Sequence, residues 1–295
     1  MRLNGTFIDD TYAEAFGMRY CRVIITAGDS YWLEQACQAF CGYGTSVIAC
    51  DAEVGTESSI DSSQSPDGRC STSVLAFAFN PDALAQAMMN RVGQCLMTCP
   101  TVAAYNGMPE AEKQIPLGEK LRYFGDGFQK SKLLGQQRYW RIPVMEGEFL
   151  VSETLGVAKG VAGGNFILQA AELDVALAAA RDAVDAISNC ANVITPFPGG
   201  VVRSGSKVGS RYPKLVASTN HEFCPTLKAR VESKLAEGSN YAYEIVIDGT
   251  SADTVAAAMR AGIQAAIEHD LLAISAGNYG GNLGKHHLAL REILA

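Results

Sequence analysis

The chain is poor in charge and in the residues that usually announce a site. Only 19% of its 295 residues are charged, and only four are histidines. Three or four ligands are needed for a zinc site, and the histidines do not supply them. His221 and Cys224 stand three apart with no second pair nearby, and His286-His287 is isolated. No metal is expected. There is no Gly-x-Ser-x-Gly elbow for a serine nucleophile. No run of 18 apolar residues is present, so no membrane span is expected. The start, Met1 to Gly5, lacks the apolar core of a signal peptide. A net charge of −7 argues against a nucleic-acid partner, which calls for a basic face. The nine cysteines are scattered without a disulfide framework and read as reduced thiols of a cytoplasmic protein. Cys95 and Cys99 read as core thiols.

What remains is ample for a core, with 48% hydrophobic residues and 29 glycines. The pattern predicts a short helix over 9–16, then a regular series. Strands are expected at 22–27, 45–50, 73–79 and 97–105, with a loop at 55–71. Helices are expected from Ser30 and from Asn80-Pro81, where a cap residue precedes proline at the first helical position. Residues 106–148 form an extension with extra strands. The order β-α-β-β-α-β is that of a ferredoxin-like lobe. It returns after residue 149, with strands at 165–170, 191–202, 241–249 and 271–276 and helices at 172–188 and from Ser251. The expected fold is therefore α+β, with two duplicated ferredoxin-like lobes at 1–148 and 149–295. A doubly wound sheet fits less well, because it wants a helix after every strand.

The stretch Tyr241–Gly249 (Tyr-Ala-Tyr-Glu-Ile-Val-Ile-Asp-Gly) has the composition of a buried strand, yet carries Glu244 at its middle. An apolar site raises a carboxyl's pKa, and a neutral acid can donate a hydrogen bond to a developing oxyanion. The plainer alternative is an edge strand with Glu244 on its wet face, paired with a surface Lys or Arg. Gly200 and Gly205 have Walker spacing, but Ser206-Lys207 follows in the wrong order and context for a phosphate loop. Arg203, Lys207, Arg211 and Lys214 form a basic segment in an acidic chain, suited either to solvent or to an anionic ligand. Glycine blocks at 160–166, 197–200 and 275–284 allow close approach of backbone to something flat or tightly packed.

Over essentially its whole length the sequence resembles formylmethanofuran–tetrahydromethanopterin formyltransferases. The likeness is carried by Asp10-Thr-Tyr-Ala-Glu-Ala-Phe16, Phe124-Gly-Asp-Gly127, Gly160-Val-Ala-Gly-Gly-Asn-Phe166, Phe197-Pro-Gly-Gly200, Ala217-Ser-Thr-Asn220, Tyr243-Glu-Ile-Val-Ile247 and Ser275-Ala-Gly-Asn-Tyr-Gly-Gly281. Further blocks at 42–48, 108–113, 146–149 and 206–210 stand in the same order. The resemblance implies reversible formyl transfer between methanofuran and N5 of tetrahydromethanopterin. Both coenzymes would be co-substrates, with no bound cofactor. It implies Glu244 as the protonated catalytic acid, and Phe124, Asp126, Phe197, Lys207, Ser218 and Asn220 as substrate-binding residues. It implies a homotetramer built as a dimer of dimers. The modest charge suits a bacterial setting, where hydrolase-type subunits would join in a formyltransferase/hydrolase complex. Two other functions stay open on the sequence: a non-catalytic ferredoxin-like scaffold or sensor, and a formyl-pterin hydrolase.

Overall fold

The computed structural model describes residues 1–295. The chain is α+β and divides into two compact units. One is Met18–Lys159; the other joins Met1–Gly17 to Gly160–Ala295. The divisions fall inside two long strands, Tyr12–Ala27 and Thr154–Ala170. The expected lobes, 1–148 and 149–295, differ from these units at both ends. The first seventeen residues fall in the C-terminal unit because they pair with its last strands. Phe7 and Ile8 run parallel to Ala273 and Ile274, and residues 12–15 lie antiparallel to His286–Ala289.

In the unit Met18–Lys159 the sheet order is Glu53–Ile60, Cys70–Ala78, the 18–27 part of the long strand, then Ala103–Asn106. Gly147–Ser152, Gln137–Val144 and Lys130–Leu134 extend it. Helices Ser30–Cys41 and Pro81–Arg91 cover one face. Leu33, Ala36, Phe40, Leu84, Ala87 and Met88 recur at helical spacing and meet Val23, Ile25, Val74 and Ala76 of the sheet in one core. Asn80 caps the second helix through its side chain, with proline following, as the sequence predicts. The first helix is capped by Asp29, one residue before Ser30.

Several expectations are corrected here and at the N-terminus. Residues 12–16 are strand, not helix. Ala13, Glu14 and Ala15 have good helix propensity, but the pairing with 286–289 overrides it. Residues 45–50 are a turn, not a strand. The buried Arg91 guanidinium donates to Phe40 O at 2.6 Å, to Gly42 O at 3.1 Å and to the Asp51 carboxylate at 2.5 Å, which gathers the chain after the first helix into a compact turn. The true strand is Glu53–Ile60, whose polar, half-exposed second half looks like a loop in sequence. It pairs only with Cys70–Ala78, so it is an edge strand and tolerates that composition. The expected strand at 97–105 shrinks to Ala103–Asn106, because the helix Pro81–Arg91 runs on through a π-turn at Val92–Leu96.

In the other unit the order is Arg2–Leu3, Thr6–Ile8, Ala273–Ser275, the 160–170 part of the second long strand, Tyr241–Gly249 and Val193–Ile194. Helices Leu173–Ser188 and Ala252–Ala266 pack on each other and on Tyr241–Gly249. Ser251 caps the latter helix in a reciprocal box with Thr254. The expected strand at 191–202 survives only as Val193–Ile194, since Pro196 and Pro198 remove ladder donors.

Candidate active site

Alternation along Tyr241–Gly249 decides where Glu244 goes. Ile245 and Ile247 are fully buried among Phe166, Leu168 and the two helices. Glu244 therefore faces away from the helices. It lies opposite Ile167 in the antiparallel pair. On its other side Val202 forms a bridge: Val202 N donates to Glu244 O at 2.7 Å, and Glu244 N donates to Val202 O at 3.1 Å.

The Glu244 side chain lines a cavity of about 380 Å³. Its walls are Ile167, Tyr243, Asn220 and residues 202–205 and 223–226. No protein group hydrogen-bonds the carboxyl, and burial alone pushes its pKa up to about 7. The alternative of an edge-strand glutamate paired with Lys or Arg is not met: Glu244 has Ile167 opposite it on one side and Val202 on the other, and its half-buried side chain forms no ion pair. Against it stands Gly277, where an added Cβ would lie 3.5 Å from Glu244 Oε1. Asn165 fixes that glycine: its Oδ1 accepts from Gly277 N at 2.6 Å, and its Nδ2 donates to Gly277 O and Gly163 O, each at 3.1 Å. The site thus offers one unpartnered carboxyl that holds its proton to a much higher pH than an ordinary glutamate, aimed into a small half-apolar space.

Of the other expected site residues, only Asn220 shares this cavity. Lys207 and Ser218 lie opposite each other in a two-stranded hairpin, Lys207–Val208 with Ala217–Ser218, and Ser218 Oγ donates to Gly209 O. Phe197 is half-buried and precedes the 3-10 turn Pro198–Gly200. Phe124 and Asp126 belong to the other unit. Phe124 is 66% exposed and lines a separate cavity of about 1210 Å³ with Met97, Met145 and Phe149. Asp126 takes a left-handed φ of 49° after the turn Arg122–Gly125. Sequence reasoning passes over Asn165, Phe223 and Thr226. An asparagine between Gly-Gly and an apolar strand, at 163–168, is the available signal for the first. No group of three or more His, Cys, Asp or Glu side chains is placed to hold a metal ion. No helix is long and apolar enough to cross a membrane.

The model of the formylmethanofuran-tetrahydromethanopterin formyltransferase family matches residues 1–144, and that of the family's proximal lobe matches 147–293. The chain belongs to this family. It is 54% identical over its full length to the formylmethanofuran–tetrahydromethanopterin formyltransferase of Methylococcus capsulatus, whose own length is also fully covered (100% of each). It is 45% identical to that of Archaeoglobus fulgidus, over 99% of this chain and 100% of the relative. Two solved structures have the same fold. The formyltransferase from Methanosarcina barkeri superposes with a TM-score of 0.94 at 44% identity, covering 99% of this chain and 100% of that one. A chain of the formyltransferase/hydrolase complex from Methylorubrum extorquens, solved with methylofuran, gives 0.96 at 43% identity, covering 100% and 99%.

Proposed function

We propose that this formyltransferase-family chain moves a formyl group reversibly between the amine of methanofuran and N5 of tetrahydromethanopterin. The observation that carries the mechanism is the Glu244 carboxyl, unpartnered in its cavity and with its pKa raised by burial. When the acceptor amine attacks the formyl carbon, a C–N bond forms and the carbonyl oxygen turns negative. The Glu244 O–H donates to that oxygen. Collapse re-forms the carbonyl and breaks the other C–N bond, and the proton lost by the attacking amine ends on the leaving amine. Such donors are strongest where water is excluded. No electrons are gained or lost overall, so the scheme calls for the two coenzymes as co-substrates and for no resident cofactor. Positioning the two amines supplies much of the remaining rate.

The scheme predicts a pH signature. A carboxyl must be protonated to donate, so kcat is expected to be level below about pH 6 and to fall through a midpoint near 7. A rate that rises through pH 7 would contradict the role. Product analysis with a formylated donor tests the reaction itself. Formyl transfer that requires the acceptor supports it. Free formate released by this chain alone would favour a hydrolase, and no turnover would favour a scaffold.

The matching strand order in the two units, β-α-β-β-α-β each time, supports two ferredoxin-like lobes arisen by duplication. Likeness to a chain of a formyltransferase/hydrolase complex supports hydrolase-type subunits as partners. The homotetramer and the cytoplasmic setting rest on the family resemblance alone. Lys207, Ser218, Phe197, Phe124 and Asp126 are assigned to the coenzymes with Asn220. Lys207→Ala is expected to raise KM for one coenzyme about fivefold with little change in kcat, the size of one exposed charge contact. Steady-state kinetics with each coenzyme varied in turn checks it; unchanged KM values for both would remove Lys207 from the site.

A further inference from the structure

Glu14 is fully buried on the strand Tyr12–Ala27, yet nothing in the scheme above uses it. A buried carboxylate needs partners, and here four backbone amides of one glycine-rich segment supply them. Glu14 Oε2 accepts from Tyr279 N at 2.6 Å and from Gly281 N at 2.9 Å. Oε1 accepts from Leu283 N at 2.7 Å and from Gly284 N at 2.6 Å. Glu14 N also donates to Gly277 O at 3.2 Å. Burial alone would raise the Glu14 pKa, but the four amides hold it below the ordinary glutamate value. The segment does not satisfy these four amides among its own residues: between Gly277 and Gly284 the chain forms no helix or strand, and Gly280 and Gly281 sit at φ of 73° and 74°. The carboxylate is its template. The near end of the same segment is Gly277, clamped by Asn165 and standing against Glu244 Oε1.

We propose that Glu14 is a positioning residue for Glu244: its carboxylate shapes the segment 277–284, and that segment closes one side of the Glu244 acid to water. The proposal rests on the catalytic reading of Glu244 and deepens it. Glu14 itself touches no reacting atom. Other ionisable groups near the pair are few. His287 lies opposite Glu14 in the strand pairing, with Tyr12 against its ring, and Tyr279 and Lys285 belong to or adjoin the segment. Around Glu244 stand Tyr243, Arg203 and Cys224 on the cavity wall, and Asp248 further along the same strand face, accepting from Gly163 N.

Glu14→Gln is the direct test. An amide replaces one acceptor oxygen by a donor, so two of the four amide bonds are lost and two N–H groups face an NH2. Water then reaches Glu244 and its acidity moves back toward that of an ordinary glutamate. The midpoint of the kcat–pH profile is expected to fall by about one pH unit, which cuts kcat about fivefold at pH 7 and far less at pH 5. A loss equal at every pH would mark Glu14 as merely structural and overturn the proposal, as would an unchanged profile. If the Gln variant does not fold, Asn165→Ser frees the same segment at its Gly277 end. It should move the midpoint in the same direction, and a profile like the parent's overturns the proposal. Glu244→Gln measured beside them separates the two claims. If that variant keeps full turnover, the catalytic reading fails and the inference with it. If it loses turnover while Glu14→Gln keeps the parent profile, only the inference fails.

Discussion

Glu244→Gln is expected to lower kcat by about 100-fold or more, the scale of removing one oxyanion donor. Gln keeps the shape and still offers an N–H, but a much weaker acid donates less to a developing negative charge. The residual rate should be flat across roughly pH 6–8, because the group that titrates is gone. The same substitution has an opposite consequence for stability. In the folded protein Glu244 ionises near pH 7, and in the unfolded chain near 4.5. The folded form therefore holds an extra proton between these values, and stability is lost as pH rises through that window. The parent is expected to lose about 2 kcal/mol between pH 5 and pH 8 from this group, discounted for its partial exposure to the cavity. The Gln variant should lack that decline. Urea unfolding at pH 5 and pH 8 measures it. Equal pH slopes for parent and variant would mean that the carboxyl is solvated, and the mechanism would lose its acid.

Gly156→Ala is expected to destabilise the chain by about 3 kcal/mol or more, a cost set by backbone rather than by packing alone. An added Cβ would stand 1.9 Å from Met108 O, 2.8 Å from Met108 Cβ and 2.9 Å from Ala111 Cβ. The carbonyl cannot swing away freely. Met108 N and Gly156 N both donate to Asn106 Oδ1, at 2.8 and 3.0 Å, so the turn and the strand are tied to one side chain. Gly156 is also held in register opposite Gln114. A fall in melting temperature on the order of 10 °C is expected. Gly17→Ala is the control, since its Cβ would meet nothing within 4 Å. Equal melting temperatures for the two variants would refute the account.

The parts of the fold that are legible in sequence are those whose signals are local. Asn80-Pro81 and Ser251 mark helix starts by their own chemistry, and both cap as read. Tyr241–Gly249 declares itself a strand by composition, and Glu244 declares itself by being out of place there. The misread parts depend on partners distant in the chain. Residues 12–16 are strand because of 286–289, and 45–50 are turn because of Arg91. The cavity shows the same limit. Its central acid can be picked out, whereas its walls come from 202–205 and from Asn220 and 223–226, irregular stretches with no period to read. Phe124 and Asp126 come from the resemblance and lie in the other unit. Glu14 is hidden for a related reason: an acid flanked by alanines reads as a helix surface until its four amide donors, beginning 265 residues later, are in view.

The union of Met1–Gly17 with Gly160–Ala295 sets an order of events during synthesis. Arg2–Leu3 and Thr6–Ile8 can pair with each other at once, but Thr6–Ile8 and residues 12–15 lack their further neighbours until the closing strands, Ala273–Ser275 and His286–Ala289, have been made. Meanwhile Met18–Lys159 has every strand partner it needs and can close ahead of them. A chain stalled before Ala273 would carry one finished unit and, at its head, a short hairpin and strand with their sheet edges open, a target for proteolysis.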